Sequence, residues 1–129
     1  MTRKALPILS AAFLLCFLAI GIPYWQTPYA SMSLPNSLFS FGLLLTSIVA
    51  MVLCARGSSF LWTAAILGMS APSVVAIRVI VDTVRDSSTH NLWPIEMAIA
   101  IFISFSIAGF AAMLGVLIRK IFKLGATKR

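Results

Sequence analysis

Acidic side chains are nearly absent from this 129-residue chain: Asp and Glu together number 3, against 10 Lys and Arg. Charged residues of both signs make up only 10% of it, while hydrophobic residues make up 60%. A soluble domain covers itself with far more charge, about a quarter of its residues. The shortage excludes water as the solvent of most of the exterior, and lipid takes its place. Histidine occurs once and cysteine twice. Cys16 lies near the middle of one apolar run and Cys54 near the end of another, so a disulfide would require backbone movement. Neither belongs to a C-x-x-C pair, and both read as small packing residues. The length allows a single domain, 1–129, with no room for a soluble catalytic unit beside the membrane segments.

The net charge of +7 would suggest nucleic acid in a soluble protein. Here the basic residues flank apolar runs, where they bind anionic lipid and set orientation. Nucleic acid is therefore not an expected partner; membrane lipid is.

Four apolar runs are long enough to span about 30 Å of hydrocarbon, which takes about 20 helical residues. They cover roughly residues 5–24, 37–55, 60–81 and 95–118. In lipid each backbone amide needs an internal partner, so single long runs become helices. Alternation of period two, the mark of a membrane barrel, is absent. The fold class expected is all-α, an integral membrane four-helix bundle running up-down-up-down. Arg56-Gly57-Ser58-Ser59 is short enough to make the second and third helices antiparallel neighbours. Pro23, Pro28 and Pro35, with Tyr24, Trp25 and Tyr29 between them, predict an ordered cap between the first two spans. The N-terminal Arg3-Lys4 and the run after it resemble a signal peptide, but no A-x-A site follows, so the run is expected to stay as the first span.

Eight basic residues fall at one end of the predicted bundle: Arg3, Lys4, Arg56, Arg119, Lys120, Lys123, Lys128 and Arg129. Arg78 and Arg85 fall at the other, with Asp82, Asp86 and Glu96. The asymmetry predicts that both termini are cytoplasmic. Tyr24, Trp25 and Trp93 are expected at the outer headgroup layer and Trp62 at the inner one, depths that suit amphipathic rings.

The outer end carries almost all the polar chemistry. Arg78, Asp82 and Asp86 are spaced by four and share a helix face, with Arg85 close beside them. His90, Asn91, Trp93 and Glu96 follow in the next loop and helix start. These eight residues form the candidate ligand or partner surface. Arg78 lies within an apolar run, where charge is costly, and Asp82 is placed to pair with it. His90 among carboxylates raises the idea of a metal ion, but the spacing fits no metal motif, and neither metal nor cofactor is expected. Asn91 suits a helix N-cap, Pro94 the first turn, and Glu96 the positive helix end. Pro72, with Gly68 four residues earlier, predicts a packing kink whose freed groups Ser70 and Ser73 can bond. Two rows of small residues, Ala64-Gly68-Pro72 and Ser104-Ala108-Ala112, with the pair Ala111 and Gly115, allow close helix approach, within the bundle or to another protein.

The run His90-Asn91-Leu92-Trp93-Pro94-Ile95-Glu96, preceded by Asp82 and Asp86, resembles a signature of small, functionally uncharacterised bacterial membrane proteins with four spans. The resemblance covers about fifteen residues. Members of that group carry an Asp-Pro-Thr-Ser-His run where this chain reads Asp86-Ser87-Ser88-Thr89-His90. It implies a bacterial inner-membrane location and no particular activity.

No nucleophile–base pair is recognisable, so an enzyme is not expected. The reading that best fits short loops and small size is a structural or accessory subunit, or a homo-oligomer, with itself or another membrane protein as partner. The alternative is a small oligomeric transporter or channel with its polar site at the periplasmic mouth. Against it, the spans hold no mid-membrane acidic residue and no carbonyl-rich filter motif.

Overall fold

In a computed structural model of the chain, residues 5–28, 36–85 and 92–127 are described, with side chains over 6–28, 37–85 and 92–123. Every regular element among them is helical: α1 (Ala5–Gln26), a 3-10 turn (Asn36–Leu38), α2 (Phe41–Ala55), α3 (Phe60–Gly68), α4 (Ser70–Arg85) and α5 (Trp93–Thr127). Three stretches are long and apolar enough to cross a membrane: α1, the α3–α4 stretch and α5. The 22 residues of α1 rise about 33 Å at ~1.5 Å each. The 15 residues of α2 are equally apolar but rise only about 22 Å. Outward faces are greasy: Leu14, Leu44, Leu61, Ile80, Phe102 and Phe110 are all exposed.

Two core clusters locate the packing. One joins Ile20 and Tyr24 of α1, Leu43 of α2, Ala71, Val74 and Val75 of α4, and Ala100 of α5, with Leu38 from the 3-10 turn. The other joins Cys16, Ala50, Cys54, Leu67, Ala108, Ala111 and Ala112. The predicted row of small residues in the last helix therefore faces inward, and Ser104, Ala108 and Ala112 are all fully buried. Glycine brings the backbones together at two crossings. A Cβ on Gly115 would lie 2.2 Å from the Met51 carbonyl oxygen, so α5 rests directly on α2. A Cβ on Gly42 would lie 2.6 Å from the Ala19 carbonyl. That carbonyl is the one Pro23, four residues on and lacking an N–H, cannot bond. Thr46 lies one turn from Gly42 and donates its hydroxyl to the Gly42 carbonyl at 2.8 Å, which satisfies a buried polar group inside its own helix.

Several boundaries differ from the sequence reading. Pro23, Tyr24 and Trp25 belong to the last turn of α1, not to the loop after it. A proline there costs a single backbone bond, at the Ala19 carbonyl where α2 is closest. The second apolar run begins as a 3-10 turn, and its α-helix starts only at Phe41, where the Leu43 and Leu44 amides donate to the Ser40 carbonyl. The third run breaks at Met69, as Gly68 and Pro72 predict. The Phe105 ring lies over Gly68, where a Cβ would meet it at 3.0 Å, and Ser70 donates its hydroxyl to the Leu67 carbonyl at 2.7 Å. The small α2–α3 turn is closed by Gly57, at φ 108. The Ser58 amide donates to the Leu53 carbonyl at 2.9 Å and the Gly57 amide to Cys54 at 3.1 Å, the two bonds of a glycine-terminated helix end. Despite this turn, α2 and α3 meet only lightly, and each makes its most extensive contact with α5.

Candidate functional site

Helix α1 ends on Gln26 with no basic residue of its own in its last turn. Its final carbonyls point out of the helix without intrahelical donors, and they form the negative end of the helix dipole. Two side chains serve them. Thr27 folds back and donates its hydroxyl to the Pro23 carbonyl at 3.0 Å. Arg78, 54 residues beyond Tyr24 in α4, donates from Nη1 to the Tyr24 carbonyl and from Nη2 to the Thr27 carbonyl at 2.7 Å. Its third donor, Nε, reaches Asp82 Oδ2 at 3.2 Å. The guanidinium also lies 5.3 Å from the centre of the Tyr24 ring, within cation–π range.

Arg78 is only 7% exposed, so these contacts replace its hydration. A buried guanidinium tolerates such a place when its donors are paired and a carboxylate offsets its charge. The ion pair with Asp82 is the one the i, i+4 spacing predicts. The larger role, closing the C-terminal end of α1 from another helix, has no local sequence signal, because Thr27 is 51 residues from Arg78. Trp25 adds a second tie. Its Nε1 donates to the Val74 carbonyl at 3.2 Å, and its ring lies back over Gly21 and edge-on to Phe17, 5.5 Å between centres.

Tyr24 is 2% exposed and belongs to the core, so its ring packs against protein. Trp25 does sit at the periphery, partly exposed. Beside it lies a pocket of about 330 Å³ lined by Trp25, Ile77, Arg78, Val81, Asp82 and Arg85. The candidate cluster thus divides. Arg78, Asp82 and Arg85 share this pocket, whereas Trp93 lines a separate, apolar one with Ala76, Val79, Ile80 and Met97. Glu96 stands in the first turn of α5, where its charge complements the helix end, and it lines neither pocket. The Ile95 and Glu96 amides donate to the Leu92 carbonyl, so Leu92 holds the N-cap backbone position expected of Asn91. Asp86, His90 and Asn91 lie outside the described residues. Among the described residues, no three His, Cys, Asp or Glu side chains come together as a metal site would require.

At the opposite end, Arg119 of α5 reaches the α2–α3 turn. One of its guanidinium nitrogens lies 3.6 Å from where a Cβ on Gly57 would be. The arrangement parallels Arg78 on α1: an arginine from a later helix stands at the negative end of an earlier one. No protein-family model, curated protein or solved structure matches the chain, so the chemistry of this site is read from its own residues.

Proposed function

We propose that the chain is a bacterial inner-membrane protein with four spans, arranged up-down-up-down, with both termini in the cytoplasm. It has no catalytic activity of its own and acts as a structural or accessory subunit, alone as a homo-oligomer or beside another membrane protein. Its contact surface is the braced outer end around Arg78, Asp82 and Arg85.

The observation that carries this reading is the use to which Arg78 is put. Arg78, the most buried of the described charged groups at the outer end, donates to two carbonyls at the end of α1 and to Asp82. A group so committed is poorly suited to proton transfer and well suited to holding two helices in fixed register. The two core clusters support the alternating direction of the helices: the first draws on later residues of α1 and of the α3–α4 stretch and on earlier residues of α2 and α5, and the second reverses that order in all four. The basic residues near the second cluster, Arg56, Arg119, Lys120 and Lys123, support a cytoplasmic location for that end. The resemblance of the His90–Glu96 run supports the inner membrane of a bacterium.

The test is extraction from native membranes in mild detergent, followed by native mass measurement and identification of co-purifying proteins. A defined oligomer or a stoichiometric partner is expected. A strictly monomeric species that carries no partner overturns the assignment.

A further inference from the structure

Among the described residues, the pocket beside Arg78 contains one cation without a hydrogen-bonding or ion-pair partner. Arg78 is offset by Asp82 and tied to α1. Arg85, about two turns nearer the end of α4, lines the same pocket, is exposed, and makes no hydrogen bond or ion pair with any described residue. The described walls of the pocket therefore carry a net charge of about one positive unit. A guanidinium presents a planar fork of donors that matches phosphate oxygens two at a time.

The rest of the wall is apolar and continues beyond the pocket. Ile77 and Val81 line it and are each 42% exposed, and Ile80 and Val84 carry the greasy surface along α4. Trp25 closes the α1 side with a ring held by its bond to Val74. The site lies at the end of a helical stretch of membrane-spanning length, so its polar mouth falls at headgroup depth and its apolar flank at acyl-chain depth. A soluble phosphate ester would use the mouth alone. A phospholipid would use both parts.

We propose that this pocket holds the phosphate of one anionic phospholipid, with Arg85 as the phosphate donor and the Ile77–Val81 face as the acyl track. This assignment rests on the reading of the outer end as a contact surface in the membrane, and it names the ligand of that surface. A single negative charge on the phosphodiester balances the net charge of the described pocket wall. A zwitterionic choline lipid brings a compensating positive charge and binds less well.

Quenching of Trp25 by brominated lipid tests the idea. In a Trp62→Phe, Trp93→Phe background Trp25 is the sole indole. The protein is placed in phosphatidylcholine nanodiscs holding a minor fraction of either brominated phosphatidylglycerol or brominated phosphatidylcholine. The phosphatidylglycerol is expected to be enriched at Trp25 by about fivefold over its bulk fraction, the scale of one basic residue at an anionic surface. Arg85→Gln should abolish the enrichment with the melting temperature unchanged, and Arg56→Gln, at the opposite end, should leave it intact. Equal quenching by the two lipids, or enrichment that survives Arg85→Gln, overturns the proposal. Displacement of the lipid by soluble glycerol phosphate at equal concentration overturns the lipid assignment in favour of a free phosphate ester. The oligomer or partner retained in mild detergent is measured on the same Arg85→Gln protein. If it persists while no lipid enrichment is found in the parent, only the lipid site fails; if the parent itself carries no oligomer or partner, the accessory reading fails as well.

Discussion

Replacing Arg78 should loosen the end of α1 from α4 at a cost that can be worked from its contacts. The side chain makes three hydrogen bonds, two to carbonyls at the end of α1 and one to Asp82. A bond to a charged group is worth about 1.5–3 kcal/mol net, so three give roughly 4.5–9 kcal/mol. Against this stands the cost of keeping a guanidinium in a span, about 2.5–3.5 kcal/mol at the centre and less towards the edge. Arg78→Met removes both terms and leaves the Asp82 carboxylate without this partner. A net loss of about 3–5 kcal/mol is expected, the range for breaking a buried charged pair from one side. Arg78→Lys keeps the charge but loses the planar fork, and should fall between parent and Arg78→Met. The assay is reversible unfolding in mixed micelles, run as a double-mutant cycle with Asp82→Leu. A coupling of about 0.5–3 kcal/mol is expected between the two positions. Amide exchange supplies the second readout: Trp25 and Gln26 should lose protection in Arg78→Met, while the end of α2 should not. Arg78→Met that unfolds with the parent, or strict additivity with Asp82→Leu, would refute the account of Arg78 as the clamp.

Three further predictions concern single positions. Gly115→Ala should cost about 1–3 kcal/mol by forcing α5 away from the Met51 carbonyl, whereas Gly109→Ala, whose new methyl meets nothing within 4 Å, should be neutral or gain up to about 1 kcal/mol of helix propensity; paired unfolding curves decide it. Gly57→Ala should lower stability by about 1–2 kcal/mol, because a φ of 108 is strained for any residue with a Cβ, and thermal unfolding should show it. Trp25→Phe keeps the ring but loses the bond to the Val74 carbonyl, so a loss of about 0.5–1.5 kcal/mol is expected in the same measurement.

Hydrophobic run length made the helices legible, since in lipid a long apolar segment has little alternative to α-helix. The kink was legible for a local reason: Gly68 and Pro72 sit within one turn of each other. So was the Arg78–Asp82 pair, at i, i+4. What escaped the sequence was everything decided by which helices cross. Tyr24 looks like an aromatic turned to lipid headgroups from its place at the end of a run, yet its ring is buried in the core with the Arg78 guanidinium 5.3 Å from its centre. Pro23 looks like a loop residue, yet the helix runs through it, because the carbonyl it orphans is where Gly42 makes its approach. Neither fact has a periodicity or a spacing. The candidate cluster was legible as a group of polar residues at one end, but its division between two pockets follows from the direction each side chain takes off α4 and α5.

The shortness of α2 bears on the four-span proposal, because about 22 Å of helix falls short of about 30 Å of hydrocarbon. Its surroundings nevertheless favour a crossing. Buried residues recur along its whole length, from Gly42 and Leu43 through Thr46 and Ala50 to Cys54. They face α1 at Gly42 and α5 at Cys54, and both of those neighbours are of spanning length. Contact with two helices of spanning length, one near each end, supports the proposed crossing. The missing rise lies before Phe41, where Leu38 is fully buried in the core cluster and Phe39 and Phe41 are exposed. Non-helical backbone at that depth is tolerated where protein covers it. Here the buried Leu38 of the 3-10 turn supplies that cover, and the Ser40 carbonyl is satisfied by the Leu43 and Leu44 amides. Lengthening α2 by a turn of alanine after Ser40 would therefore displace Leu38 from the core instead of relieving a mismatch. It should destabilise the protein equally in thick and thin bilayers, and a stabilisation confined to thick bilayers would show that lipid, not protein, meets the short end.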